Sequence, residues 1–305
     1  MLSKGDIIVM KKIIALLMAA VLVFAFAGCA NDANKPVENP SEEATQADAA
    51  TETATQKLDL DVEPVTGLDA LAADSDLAKI IANGKIVVGI TDYAPMDYKD
   101  PGSDEWTGFD AEFAEAFAEA IGVEVEFIEV DWDNKFFELE SNKIDCIWNG
   151  MTITDEVKLN TNCSAAYVKN AQVVVMAADK VADYADAASM AELNFAVESG
   201  SAGEAAAKDN SFEYTAVLTQ ADALMEVQSG TADACIIDIT MANAMTGEGT
   251  SYDKLAKGVE LTSEEYGVGF RKGSDATAVL NAFMTAQKEN VLVPLAEKYE
   301  LTLAF

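Results

Sequence analysis

At 305 residues, half of them hydrophobic, the chain is long enough for two lobes with cores of their own. Fifty-three acidic residues oppose 20 basic ones, and a formal charge of −33 repels phosphate backbones and excludes nucleic acid as a partner. No histidine occurs, which removes His-based triads, His general bases and His metal sites.

The chain begins with an address. Met10-Lys11-Lys12 precedes fifteen consecutive apolar residues, Ile13 to Ala27, and then the small residues Gly28, Cys29 and Ala30. A basic start and an apolar run too short for a comfortable membrane span read as a secretory signal over residues 1–28, cleaner from Met10 than from Met1. Phe26-Ala27-Gly28-Cys29 resembles a bacterial lipoprotein box, although Phe26 stands where Leu is usual. That resemblance implies cleavage before Cys29 and lipidation of its thiol; a plain secreted protein or an N-terminal anchor helix is the alternative. Acyl chains would hold the protein on the extracellular face of the membrane without spanning it. The stretch to residue 66 is rich in Ala, Thr, Asp, Glu, Asn and Pro, with too little apolar surface to offset the ordering of a core. Residues 29–66 are therefore expected to be a lipidated cysteine and a disordered tether.

Beyond Gly67, Leu68, Leu71, Leu77, Ile80 and Ile81 predict a helix that stops at Asn83-Gly84, followed by a buried strand over Ile86–Ile90. Phe109, Phe113 and Phe117 recur at four-residue spacing, with Glu112, Glu115 and Glu119 on another face, so the helix should bury its phenylalanines in a core. Val123–Val130 alternates as a strand, and Asp131-Trp132-Asp133 opens the next helix. The organising stretch is 143–158. There Ile144, Cys146, Ile147 and Trp148 form a short strand, Asn149-Gly150 turns the chain, and Thr154 caps a helix whose first residues are Asp155 and Glu156. A strand, a glycine turn with free backbone groups and a helix start suit a small polar ligand, though an ordinary strand-to-helix connection shares the pattern. A second lobe should begin with the strand Ala171–Met176. Phe195–Ser199 is its next strand, Ser201 and Glu204 form a capping-box pattern, Thr219–Ser229 is a helix, and Ala232–Ile237 is a strand ending at Asp238. Helices over 275–289 and 292–300 close the chain. Strands alternating with helices make the fold class α/β.

These marks occur in one order: Gly84-Lys-Ile-Val-Val-Gly89, Tyr93-Ala-Pro-Met-Asp-Tyr98, Gly108-Phe-Asp110, Asn149-Gly-Met-Thr-Ile-Thr-Asp-Glu156, Ser199-Gly-Ser201, Ala232-Asp-Ala234 with Asp238, and Tyr266-Gly-Val-Gly-Phe270. Together they resemble the bacterial extracellular solute-binding proteins of the polar amino-acid type, which serve ABC importers. The resemblance implies a two-lobed type II periplasmic-binding-protein-like fold. Lobe 1 would be 67–168 plus 266–305 and lobe 2 would be 172–261, with crossover strands near 167–171 and 262–266. It also implies a monomer that holds an amino acid in the interlobe cleft, closes by hinge motion and delivers the ligand to a membrane permease, with no cofactor and no metal. Matched position by position, Tyr93 and Trp132 would flank the ligand, while Asn149 lies in the turn beside it. The Gly150 carbonyl and the Asp238 carboxylate would accept from its ammonium, and Thr152 and Ser201 would donate to its carboxylate. Three have a structural alternative: Trp132 in a core, Ser201 as a cap only, Asp238 as a helix N-cap.

One departure bears on the ligand. The family commonly carries an arginine after Thr-Asp-Glu, where this chain has Val157, and Lys158 next door would point elsewhere. Glu198 adds negative charge near the cleft. The site should therefore favour a cationic amino acid, or one held mainly by its ammonium group, or an amine lacking the carboxylate. A dehydratase-like enzyme on the same fold is the alternative class; a ligand-sensing domain lacks the second apolar span expected of it. Beyond Cys29, Cys146 and Cys163 either bridge, if their strands are neighbours, or remain free with Cys235.

Overall fold

The structure, a computed structural model, describes residues 56–305. The signal segment, Cys29 and most of the expected tether lie outside the described residues.

Lobe 1 opens with a short 3-10 turn at Leu68–Ala70 and then α1 (Asp76–Asn83), so the single helix expected here is broken. Ser75 causes the break: its hydroxyl accepts from the Ala78 amide at 3.2 Å and restarts the helix. The chain continues through β1 (Lys85–Ile90), β2 (Tyr98–Lys99), β3 (Trp106–Thr107), α2 (Phe109–Ile121), β4 (Glu124–Glu129), α3 (Lys135–Glu140), β5 (Cys146–Ile147), α4 (Asp155–Asn160) and β6 (Asn162–Cys163). The first crossover is β7 (Val168–Asn170). Lobe 2 follows as β8 (Gln172–Ala177), β9 (Asn194–Glu198), α5 (Ala202–Asp209), β10 (Glu213–Val217), α6 (Gln220–Ser229), β11 (Ala234–Asp238), α7 (Ile239–Met245) and β12 (Leu255–Glu260). The second crossover, β13 (Glu264–Tyr266), returns to β14 (Gly269–Phe270), α8 (Ala276–Ala286), a π turn at Lys288–Leu292 and α9 (Val293–Lys298).

Each lobe is built on a five-stranded sheet, ordered β4-β1-β5-β14-β6 in lobe 1 and β10-β9-β11-β8-β12 in lobe 2. In both, the first three strands run parallel and the fourth is antiparallel to its neighbours. The crossovers pair with each other, Asn170 opposite Glu264 and Val168 opposite Tyr266. β10 and β12 were not foreseen; both are half-exposed edge strands whose apolar pattern is too diluted to register.

Phe109, Phe113 and Phe117 are fully buried, and Trp148 packs edge-on against Phe113 with ring centroids 4.7 Å apart. Burial of each such ring stabilises the lobe by about 1.5–3 kcal/mol. Glu112, on a different face of this helix from the phenylalanines, is buried as well. It accepts from Lys298 Nζ at 2.6 Å and from the Tyr299 hydroxyl at 2.7 Å, fastening the chain's C-terminal helix to α2. The folded body also starts earlier than Gly67. Leu60, Val62 and Val65 pack on the core, and the Val65 amide donates to the Ala120 carbonyl at 2.8 Å, so the expected tether is seated before it ends. Cys146, Cys163 and Cys235 are free thiols. β14 lies between β5 and β6, which puts the first two cysteines two strand spacings apart, roughly 9–10 Å and too far for a bridge.

Candidate functional site

A cavity of about 300 Å³ lies where the carboxyl ends of β1, β5, β9 and β11 converge. Tyr93, Trp132, Asn149, Gly150, Thr152, Val157, Ser201 and Asp238 all line it. Lys135, Phe136 and Gln220 also line it, and the sequence did not single them out.

On the lobe 1 side, the turn after β5 is locked from below. Asn149 Nδ2 donates to the Thr91 carbonyl at 3.0 Å and to Asp97 Oδ2 at 2.7 Å, and its Oδ1 accepts from the Thr91 hydroxyl at 2.8 Å. The Gly150 amide donates to Asp110 Oδ2 at 2.6 Å. Gly150 has φ 54°, and a Cβ there would sit 2.5 Å from Tyr93 Cε1, so the position needs glycine for both conformation and space. Tyr93 presents its ring to the cavity while its hydroxyl meets Thr240 Oγ1 of lobe 2 at 2.5 Å and the Tyr266 hydroxyl on the second crossover. Trp132 is both wall and core: it lines the cavity and packs with Leu139, Ile144, Ile147, Met151 and Val157. Thr154 caps α4 as expected, its hydroxyl accepting from the Val157 amide at 3.1 Å. The Thr152 hydroxyl, expected to face a ligand carboxylate, donates instead to Glu264 Oε1 at 3.0 Å.

Lobe 2 supplies carboxylates. Asp238 ends β11, and its side chain makes no N-cap bond to α7. Gln172 Nε2 donates to Asp238 Oδ1 at 2.7 Å, Asn170 Nδ2 reaches the same oxygen, and Gln220 Nε2 reaches Oδ2. Gln220 also accepts from the Asp238 amide at 2.9 Å, so one glutamine braces both ends of the residue. Burial, then the nearby Glu264 charge, pushes the Asp238 carboxyl up to about 7. Glu198 at the end of β9 is likewise buried, and its Oε1 has no hydrogen-bond partner among the described residues. Burial, then the Asp238 charge, pushes its carboxyl up to about 8, with the Lys135 ammonium opposing. Ser201 accepts from the Glu204 amide at 3.1 Å, so it does cap α5. The reciprocal arm differs from a capping box: Glu204 Oε2 takes the Gly200 amide at 2.9 Å, not that of Ser201.

The lobes also touch through Lys135. Its ammonium donates to the Trp132 carbonyl at 3.0 Å and across the cavity to the Gly200 carbonyl at 2.9 Å. It lies 4.8 Å from the Trp132 ring centroid and 4.8 Å from that of Phe136. A Cβ on Gly200, which has φ 70°, would come within 2.8 Å of Asp133 Cα, so glycine permits this approach. Lys135 carried a readable signal, since it falls three residues after Trp132 and shares its helical face. Gln220 carried none, because a glutamine in a helix's first turn ordinarily faces water.

The arrangement suits a small organic cation: two buried carboxylates, aromatic walls and one ammonium at the lobe junction. Among the described residues no group of acidic, histidine or cysteine side chains could hold a metal ion, and no helix is long and apolar enough to cross a membrane.

Comparison with known proteins identifies the family. The profile of the bacterial extracellular solute-binding proteins, family 3, matches residues 86–301. The arginine-binding extracellular protein ArtP of Bacillus subtilis (strain 168) is 30% identical over 218 residues, 68% of this chain and 82% of that protein. The ABC transporter glutamine-binding protein GlnH of the same organism is 30% identical over 223 residues, 70% of this chain and 80% of its own length. Among solved structures, the ancestral amino acid-binding protein AncCDT-1, a precursor of cyclohexadienyl dehydratase, superposes with a TM-score of 0.68 at 30% identity, over 74% of this chain and 99% of that one. Both of these curated relatives are named as binding proteins.

Proposed function

We propose that this chain, a member of the bacterial extracellular solute-binding proteins, family 3, captures a cationic amino acid between its lobes for a membrane ABC importer. The observation that carries the reading is the pair of lobe 2 carboxylates, Asp238 and Glu198, buried in one cavity. Ionising two such groups away from water is costly until a positive guest arrives. The lining residues sum to a formal charge of −3, with Asp155, Glu156, Glu198 and Asp238 against Lys135. Asp238 takes the α-ammonium, Glu198 faces a second positive group, and Tyr93 and Trp132 flank the stem between them. Closure brings the carboxylates of one lobe to the rings of the other, so both lobes hold the guest only when shut.

Calorimetry with L-arginine, L-lysine, L-glutamine, L-glutamate and L-aspartate tests this. The basic pair should bind tightest; tighter binding of glutamate or aspartate overturns the charge preference. The address at the chain's start supports the further reading that Cys29 is lipidated and anchors the protein outside the membrane. Metabolic labelling with a radioactive fatty acid should mark the wild type and not Cys29→Ser; label on both would refute it.

A further inference from the structure

Among the residues lining the cavity, Lys135 is the one lysine or arginine. Its ammonium is held by two carbonyls, one from each lobe, and forms no ion pair with a carboxylate among the described residues. Carbonyls orient an ammonium but do not neutralise it, and a lysine has three N–H donors, of which these contacts use two. The third remains. The Gly200 partner is the residue before Ser201 and the start of α5, and the charge that acts most on Lys135 is that of Glu156, beside Val157. The ammonium thus sits against Gly200, beside the start of α5, in the wall of the cavity that also carries residues 154–157. An amino acid carries its carboxylate on the same carbon as its α-ammonium, so a guest whose α-ammonium meets Asp238 can present that carboxylate to Lys135, the one cationic side chain of the lining.

We propose that Lys135 is a specificity-determining residue that receives the ligand's carboxylate at the lobe junction, so that the cavity selects amino acids over the amines formed by removing that carboxylate. This rests on the reading that the cavity binds amino acids. It makes an anion on the guest the completing contact of the closed state, joining lobe 1 to lobe 2 through Lys135 and Gly200.

Calorimetry of the wild type, Lys135→Met and Lys135→Arg with three matched pairs tests it: L-arginine and agmatine, L-lysine and cadaverine, L-glutamine and 4-aminobutanamide. The wild type should favour the acid in each pair that binds. Lys135→Met should weaken the acid by about 10- to 100-fold, the loss of a charge-assisted contact, while leaving the decarboxylated partner within about threefold. Lys135→Arg should restore most of the preference. Equal weakening of both members by Lys135→Met would make Lys135 a lobe strut only and overturn the proposal. So would unchanged binding of the acid, or a wild type that prefers the amine. A wild type that binds none of the six compounds instead overturns the amino-acid reading itself, and this proposal with it. The melting temperature of unliganded Lys135→Met, within a few degrees of wild type, separates lost recognition from lost fold.

Discussion

At the carboxyl ends of its two central strands, lobe 1 offers the cavity the Tyr93 ring from the loop after β1 and the Gly150 peptide from the turn after β5. The matching ends in lobe 2, on β9 and β11, carry Glu198 and Asp238. The sheets share one strand order, so topology puts the same two strand ends at the cavity from either side, and residue identity alone divides the labour. Lobe 1 gives shape, rings, an ammonium and the exposed carboxylates Asp155 and Glu156; lobe 2 gives two buried carboxylates, of which Asp238 is held by side-chain amides. Neither face is a complete site by itself, so on the proposed reading recognition depends on both being present at once.

If this division holds, removing the charge from lobe 2 should hurt most. Asp238→Asn should weaken binding of L-arginine or L-lysine by about 100- to 1,000-fold in calorimetry, since a buried counter-charge disappears. A change below about fivefold would show that Asp238 serves the lobe's internal amide network and no ligand. On the other face, Trp132→Ala should cost about 5- to 30-fold for the same ligands, the scale of a desolvated cation–aromatic contact. If Trp132→Ala proves the more damaging of the two, the lobes' roles are reversed. Gly150→Ala sharpens the contrast differently. It forces a side chain into a left-handed conformation against Tyr93, and should lower stability by about 1–3 kcal/mol and the melting temperature by roughly 2–10 °C. An unchanged melting temperature would mean that the turn relaxes.

The smallest effect concerns pH. Asp238 and Glu198 have folded pKa values raised to about 7 and about 8, so the folded state binds more protons than the unfolded one between the ordinary carboxylate range and those values. Their contribution to stability is fully present below about pH 4 and is lost as pH rises through 7 to 8. Asp110 of lobe 1, pushed to about 7 by burial, acts in the same direction. The melting temperature of the ligand-free protein should therefore fall from pH 5 to pH 8.5, less steeply in Glu198→Gln and less steeply again with saturating L-arginine. A melting temperature that rises over that range would contradict the burial of these charges.

Most of the fold was legible in the sequence because its buried strands and phenylalanine helix carry strong periodicity. The two edge strands of lobe 2 escaped because their exposed faces dilute it. All eight residues singled out for the site reach the cavity, since strand ends and glycine turns mark themselves locally. The partners that tune them did not show. Glu264 takes the Thr152 hydroxyl, Gln220 braces Asp238, and Lys135 crosses to Gly200; each contact joins residues far apart in the chain, and no local pattern encodes it. The burial of Glu112 was unreadable for the same reason, because its partners Lys298 and Tyr299 lie 186 and 187 residues away.

The amides of Asn170 and Gln172 each donate to both Asp238 and Glu264, although Asn170 and Glu264 belong to the paired ribbons that connect the halves. On the proposed reading, any swing that twists those ribbons also drags on the carboxylate that receives the guest. Joint and sensor would then be one piece of machinery, so a substitution at Asn170, which is outside the cavity lining, should alter how tightly the protein holds its ligand.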